Sequence, residues 1–215
     1  MNGLIYTGGD WPDRQTARRL YEQADFVVCC DGAAVQAQKY NLPMDALLGD
    51  MDSIDPAVLQ FYQSLPDPPE ILTLPVEKDW TDTEYAVSYA LEKGCTQLTF
   101  CGGLGKRMDH SMGQIQILYD LCQKKIPHAL YAENTFAVAF STEYTLKTAP
   151  GQTFSLLPFE HNCCITILGA KYPLDHHPLP MGKTLGISNQ AIHDRVTIQV
   201  HQGTVLLLCI ENPEA

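Results

Sequence analysis

The chain has no stretch both apolar and long enough to cross a bilayer. Runs such as "TVLLLCI" (204–210) fall far short of the roughly 20 residues that a spanning helix needs. Positive charge is scarce as well. Fourteen Lys and Arg stand against 25 Asp and Glu, a net charge of −11 with His neutral, which excludes a surface built to neutralise nucleic-acid phosphates. No C-x-x-C spacing occurs among the eight cysteines. Cys29-Cys30 and Cys163-Cys164 are adjacent pairs inside apolar runs, the usual setting of buried thiols, so no disulfide framework is expected. The start, "MNGLIYTGGDW", has neither a basic segment nor a long apolar one. No signal peptide is expected, and the expected location is cytoplasmic, without a membrane partner.

What the chain does have is an ordinary globular composition. Its 215 residues, 45% hydrophobic and 18% charged, suffice for one large domain or two smaller ones. Up to residue 133, short apolar runs alternate with helical patterns. Strands are predicted at 3–9, 25–30, 45–49, 71–74, 97–103 and 128–132, and helices at about 13–23, 33–40, 56–64, 82–93 and 109–124. The helix after Thr81 is the clearest. Tyr85, Val87, Tyr89, Ala90 and Leu91 give it a broad apolar face, acidic residues fill its first turn, and Gly94 follows its end. Such alternation predicts βαβ units and a mainly parallel, Rossmann-like sheet with flanking helices.

From residue 134 onward helical periodicity disappears and turn signals recur. Strands are expected at 135–141, 152–158, 163–168, 195–201 and 204–210, the last two forming a hairpin around Gln202-Gly203. The expected architecture is therefore an α/β domain over 1–133 followed by an all-β sandwich domain over 134–215.

Four polar clusters follow consecutive predicted strands. They are "CCDGAA" (Asp31, Gly32), "GDMDS" (Asp50, Asp52), "EKDWTDTE" (Lys78, Asp79, Thr81, Asp82) and "GGLGKRMDH" (Gly102, Gly103, Gly105, Lys106, Arg107, Asp109, His110). Each alone is equally well a turn or a helix cap. Together they are more telling, because the carboxyl ends of parallel strands share one edge, where ligands collect. "GGLGKR" lacks the spacing of a Walker A loop, and Arg107 stands where Ser or Thr should follow the lysine.

Closely spaced carboxylates such as Asp50, Asp52 and Asp82 repel unless a cation neutralises them, and an oxygen-only set suits Mg²⁺ shared with substrate phosphates. Lys78, Lys106 and Arg107 would offset charge on a polyphosphate, and Gly102, Gly103 and Gly105 would let backbone N–H groups approach it. That chemistry is transfer of a phosphoryl-type group. No Ser-His-Asp or Cys-His arrangement is suggested. His110 serves equally as a helix-start residue or a catalytic one, and "DHH" (175–177) reads as a solvated turn rather than a metal site.

On "DGAA", "LLGDMDSI", "EKDWTDTEYA", "GGLGKRMDH", "LGAKYPL" and "GKTLGISNQ", in this order over residues 30–190, the sequence resembles the bacterial thiamine pyrophosphokinases. Ala33 departs from the second glycine more common after Asp-Gly in that family. The resemblance implies Mg²⁺-dependent transfer of pyrophosphate from ATP to the hydroxyl of thiamine, giving thiamine diphosphate and AMP. It also implies a homodimer whose sites are completed by the neighbouring chain. Carried onto this chain, it makes Asp50, Asp52 and Asp82 the metal ligands and turns Lys78, Asp79 and Thr81 toward the transferred phosphates. It assigns Asp31, Gly32, Gly102, Gly103, Arg107, Asp109 and His110 to the nucleotide side, and Tyr172, Ser188 and Asn189 to thiamine. For Tyr172, a place in the core of the β domain is an equal alternative.

A metal-dependent nucleotide-sugar transferase built on Asp50-x-Asp52 is the second reading, but it gives "KDWTD" and the β domain no role. A nucleotide-binding regulator without turnover is the third.

Overall fold

The computed structural model describes residues 1–77, 79–105 and 107–210. Lys78 and Lys106, two of the three cations expected at the site, lie outside the described residues, as do residues 211–215. The chain divides into two compact units, one of residues 1–117 with 126–133, the other of 118–125 with 134–215.

Among the described residues, the first unit contains six strands: β1 (Asn2–Tyr6), β2 (Phe26–Cys30), β3 (Ala46–Gly49), β4 (Glu70–Thr73), β5 (Gln97–Cys101) and β6 (His128–Ala132). They lie in the order β6-β5-β1-β2-β3-β4, and every neighbouring pair is parallel. Helices α1 (Arg14–Glu22), α2 (Ala34–Tyr40), α3 (Pro56–Gln63), α4 (Asp82–Glu92) and α5 (Met108–Gln123) supply the crossovers. Central strands are buried on both faces, so β1 reads "NGLIY" and β2 "FVVCC" with no polar alternation.

Two expected strands are shorter than the apolar pattern suggested. The run at 3–9 stops at Tyr6, and the run at 97–103 stops at Cys101. Gly9, Gly102 and Gly103 carry φ of 92°, 98° and 94°, which turns the backbone out of the sheet and opens loops at its carboxyl edge. The face α4 buries is also narrower than its apolar pattern: Ala86, Val87 and Ala90 are buried, while Tyr89 reaches out to donate to Glu70. Small side chains let α4 pack closely on β2.

The second unit is a two-layer antiparallel sandwich. One layer is β12 (Asn189–Gln190), β9 (Thr153–Pro158), β14 (Val205–Ile210) and β7 (Thr135–Phe140), in that order. The other is β11 (Leu174–Pro178), β10 (Cys164–Leu168), β13 (Arg195–Gln202) and β8 (Glu143–Lys147). One core joins them, with Phe154, Leu156, Val205 and Leu207 from the first layer against Ile165, Ile167, Val196 and Ile198 from the second.

The expected hairpin around Gln202-Gly203 does not form. Strand β13 pairs with β8 and β10, whereas β14 pairs with β7 and β9, so the chain crosses between layers at Gly203. Side-chain patterning explains the separation. Alternate burial of Val196 and Ile198 suits a layer with one wet face, while Val205, Leu206 and Leu207 are buried in succession. Strands β8, β11 and β12 gave no apolar signal because each is an edge strand, and "LDHHP" is almost wholly exposed. No helix among the described residues is long and apolar enough to cross a membrane.

Candidate active site

Parallel strands place the β1–α1, β2–α2, β3–α3, β4–α4 and β5–α5 loops on one edge of the first unit's sheet. Asp31 begins a single 3₁₀ turn directly after β2, and its carboxylate is buried, 4% exposed. One oxygen accepts from the Gly32 amide and the other from the Met51 amide at 3.2 Å. Those bonds aim it at the β3–α3 loop, where Asp50 accepts from the Asp52 amide at 3.2 Å and Asp52 accepts from the Ser53 hydroxyl at 2.9 Å.

One oxygen from each of Asp31, Asp50 and Asp52 can be chosen so that all three lie within 4.8 Å of one another. Burial pushes the Asp31 carboxyl above its ordinary pKa, and the charges of Asp82 and Asp50 add to the rise; the Gly32 and Met51 amides oppose it. A cluster that raises its own proton affinity has the character of a cation site. All its donors are oxygens, as a hard divalent ion such as Mg²⁺ requires. The residues therefore fit the ion implied by the sequence. Asp31, expected on the nucleotide side, joins Asp50 and Asp52, while Asp82 stands beside Asp31 outside the three-oxygen group. Adjacency of β2 and β3 explains why Asp31 meets Asp50 and Asp52, because the residues that follow two neighbouring parallel strands are themselves neighbours.

Thr81 caps α4 in a capping box: its hydroxyl accepts from the Glu84 amide at 3.3 Å, and the Glu84 carboxylate accepts from the Thr81 amide at 3.0 Å. This fixes the start of α4, with Asp82 as its first residue. Asp79 is exposed in the loop just before it.

A cavity of about 550 Å³ opens beside the α4 start, lined among others by Gly8, Gly9 and Asp10 after β1, by Thr81 and Thr83, and by the β5–α5 loop. In the sequence the "TGGD" segment is hidden, because the expected strand at 3–9 runs through Gly9, whereas β1 ends at Tyr6. Its signal was a fifth polar, glycine-rich loop past a strand end. The two glycine-rich loops are packed backbone to backbone. Gly103 donates to the Gly8 carbonyl at 2.6 Å and Asp10 to the Leu104 carbonyl at 2.7 Å. A Cβ on Gly102 would lie 2.5 Å from the Thr7 carbonyl oxygen, so only glycine allows this approach. The amides expected to cradle phosphate are already donating: Gly102 to Tyr131, Gly103 to Gly8, and Gly105 to the Ser111 hydroxyl. Gly103 and Gly105 line the cavity, and none of the three glycines leaves a free N–H for a ligand.

Arg107 and Asp109 form an exposed two-pronged ion pair, with Nε to Oδ1 at 3.1 Å and Nη2 to Oδ2 at 2.5 Å. The guanidinium holds the Asp109 carboxyl well below the usual range. His110 lines the same cavity. Gly32 is exposed, its amide turned to Asp31.

In the second unit, Asn189 is buried and fully engaged. Its side chain accepts from the Tyr172 amide at 3.1 Å and donates to the Tyr172 carbonyl at 2.8 Å. Tyr172 is therefore held by its backbone, while the residue is 58% exposed and not part of the core. Ser188, at φ 57°, is exposed nearby in sequence, and its amide donates to the Ser155 hydroxyl.

Fold and site together define a class: an α/β unit with an acidic crevice suited to phosphorylated compounds, carried with an antiparallel sandwich. Within that class, a family model described as the thiamin pyrophosphokinase catalytic domain matches residues 17–130, and one described as the thiamin pyrophosphokinase vitamin B1 binding domain matches 143–205. Thiamine pyrophosphokinase of Bacillus subtilis (strain 168) is 31% identical over 170 residues, 78% of each chain. Thiamine pyrophosphokinase 1 of Oryza sativa subsp. japonica is 24% identical over 218 residues, 90% of this chain and 82% of the other. The crystal structure of thiamine pyrophosphokinase from Bacillus subtilis superposes with a TM-score of 0.86 at 26% identity, covering 99% of this chain and 100% of that one. The chain belongs to the thiamin pyrophosphokinase family.

Proposed function

We propose that this protein transfers the terminal diphosphoryl group of ATP to the hydroxyl of thiamine. The bond formed is between the thiamine hydroxyl oxygen and the β-phosphorus. The bond broken joins that phosphorus to the oxygen that leaves with AMP, and the hydroxyl proton is released. The observation that carries the reading is the meeting of Asp31, Asp50 and Asp52 at the carboxyl edge of the parallel sheet, in a chain that matches both domains of the family. The family match leaves the nucleotide-sugar reading without support.

Asp31, Asp50 and Asp52 would hold Mg²⁺, with Asp82 adjoining. When bound, the ion supplies neutralisation of charge on the polyphosphate and the departing AMP. The protein's own residues do the rest by position. The α4 cap holds Thr81 and Thr83 at the cavity, and the carboxylate of Asp82 or Asp79 orients the thiamine hydroxyl. Arg107, steadied by Asp109, offers its remaining N–H groups to phosphate oxygens. Tyr172 and Ser188 meet thiamine, Tyr172 held by Asn189, and in a homodimer they complete the site of the neighbouring chain. The setting is the cytoplasm.

The test is an assay with purified protein, ATP, Mg²⁺ and thiamine that quantifies AMP and thiamine diphosphate. Equal yields, abolished by a chelator, are expected; ADP in place of AMP would overturn the reading. For the shared site, mixing an Asp52→Asn variant with a Tyr172→Ala variant restores activity only if residues are contributed across chains.

A further inference from the structure

Among the described residues, one buried polar group in the first unit's cavity has no partner in the protein. Gln114 lies on the first half of α5 and is 4% exposed; it lines the cavity, and its Nε2 makes no hydrogen bond. A buried amide donor without an acceptor is costly, and nearly all such groups in folded proteins are answered. Here the neighbouring polar groups are committed elsewhere. The Ser111 hydroxyl accepts from Gly105 and donates to the Arg107 carbonyl at 3.2 Å, and the Gly103 amide donates to Gly8. Gly103 also presses on the Gln114 side chain: a Cβ there would lie 2.8 Å from Gln114 Cγ. That glycine makes room for the glutamine. The terminal torsion of a glutamine is broad and roughly two-fold, so the carboxamide turns toward the cavity without moving its stem.

The surroundings of this amide indicate what it meets. Ile117, one turn further along α5, and Leu104 make that wall apolar, and a Cβ on Gly113 would meet nothing within 4 Å, so the space there is open. Charged and hydroxyl groups, Arg107, Asp109, Thr81 and Thr83, line other parts of the cavity. Apolar walls with one amide offering both a donor and an acceptor suit a flat heteroaromatic ring carrying an adjacent ring nitrogen and amino group. Glutamine recognises adenine in this way, through the N6 amine and N7 together.

We propose that Gln114 is the residue that selects the base of the nucleotide, its carboxamide pairing with the amino-purine edge of adenine. This rests on ATP being the phosphate donor. A guanine presents two acceptors on the same edge, so one end of the amide would face a like group, and GTP is rejected.

The experiment compares steady-state kinetics with ATP and with GTP in the wild type and in Gln114→Met, which keeps the length and removes both polar atoms. The wild type prefers ATP. In the variant KM for ATP rises by roughly 10–100-fold, the preference over GTP collapses toward unity, and KM for thiamine is unchanged. Gln114→Asn, measured as well in case the methionine variant does not fold, keeps part of the preference. An ATP-to-GTP ratio identical in all three proteins overturns the proposal, as does a rise in KM for thiamine instead of ATP. If the wild type makes no AMP at all in the presence of thiamine, the donor itself is wrong and both readings fall together.

Discussion

Gly49 and Asp31 touch so closely that no side chain fits between them. A Cβ on Gly49 would lie 2.6 Å from Cγ of Asp31, and Gly49 sits at φ 154°. The last residue of β3 is therefore glycine because the carboxylate that follows β2 passes over it. Gly49→Ala should push Asp31 out of the group it forms with Asp50 and Asp52, costing roughly 1–3 kcal/mol of stability and at least tenfold in turnover. Gly32→Ala is the matched control, since its Cβ would meet only Ser53 Cβ at 3.7 Å. It should change stability by less than about 0.5 kcal/mol. Urea unfolding and a product assay on both variants check the contrast; equal effects would sink it.

The carboxylate cluster should be a liability when no cation is present. Asp31, Asp50 and Asp52 repel one another, and a like-charge pair 4 Å apart in water is worth about 1 kcal/mol. Asp52 is exposed and, among the described residues, its side chain holds the Ser53 hydroxyl, so Asp52→Asn removes charge without orphaning a buried group. In chelator the variant should melt at or slightly above the wild-type temperature. On adding Mg²⁺, the wild type should gain stability by ligand linkage, while the variant gains less and loses most of its activity. A variant that stays fully active with Mg²⁺ would remove Asp52 from the site.

Thr81 has two duties that a pair of substitutions separates. Its hydroxyl caps α4 through Glu84, and it also lines the cavity. Thr81→Ala should cost about 1 kcal/mol through the lost cap. Thr81→Asn restores a good cap and most of that stability, so any activity it still lacks belongs to the hydroxyl and its ligand. Thermal melts beside kcat and KM for ATP give the division. Full recovery of both would make Thr81 a cap alone.

Much of this fold was legible because local and global signals agree in the first unit. Every predicted strand and helix there exists, since buried parallel strands are written as unbroken apolar runs and the helices carry their own caps at Asp13, Asp55 and Thr81. What was not legible depends on chain-distant contacts. Nothing near Asp31 in sequence says that β2 and β3 are neighbours, so its meeting with Asp50 emerges only from strand order. The amides of Gly102 and Gly103 looked free because their acceptors, Tyr131 and Gly8, lie elsewhere in the chain. The false hairpin at Gly203 has the same origin: both segments read locally as strands joined by a turn, and only their pairing with distant strands assigns them to different layers.

His128 gives the protein an acid sensitivity whose sign follows from its surroundings. Burial at the start of β6 disfavours the charged imidazole and lowers its pKa below the ordinary 6.5, and the Ile126 carbonyl, 2.8 Å from Nδ1, only partly offsets this. Below about pH 6.5 the unfolded chain therefore takes up a proton that the folded protein resists, so stability falls as pH drops from there toward the folded pKa. Above pH 6.5 both states are neutral at this site and the contribution is flat. His128→Gln keeps a donor for the Ile126 carbonyl but does not titrate. The urea midpoint of the wild type should drop between pH 7.5 and 5.5 by more than that of the variant. If the two midpoints fall in parallel, the acid sensitivity resides in other groups and His128 is either protonated in place without cost or exposed in solution.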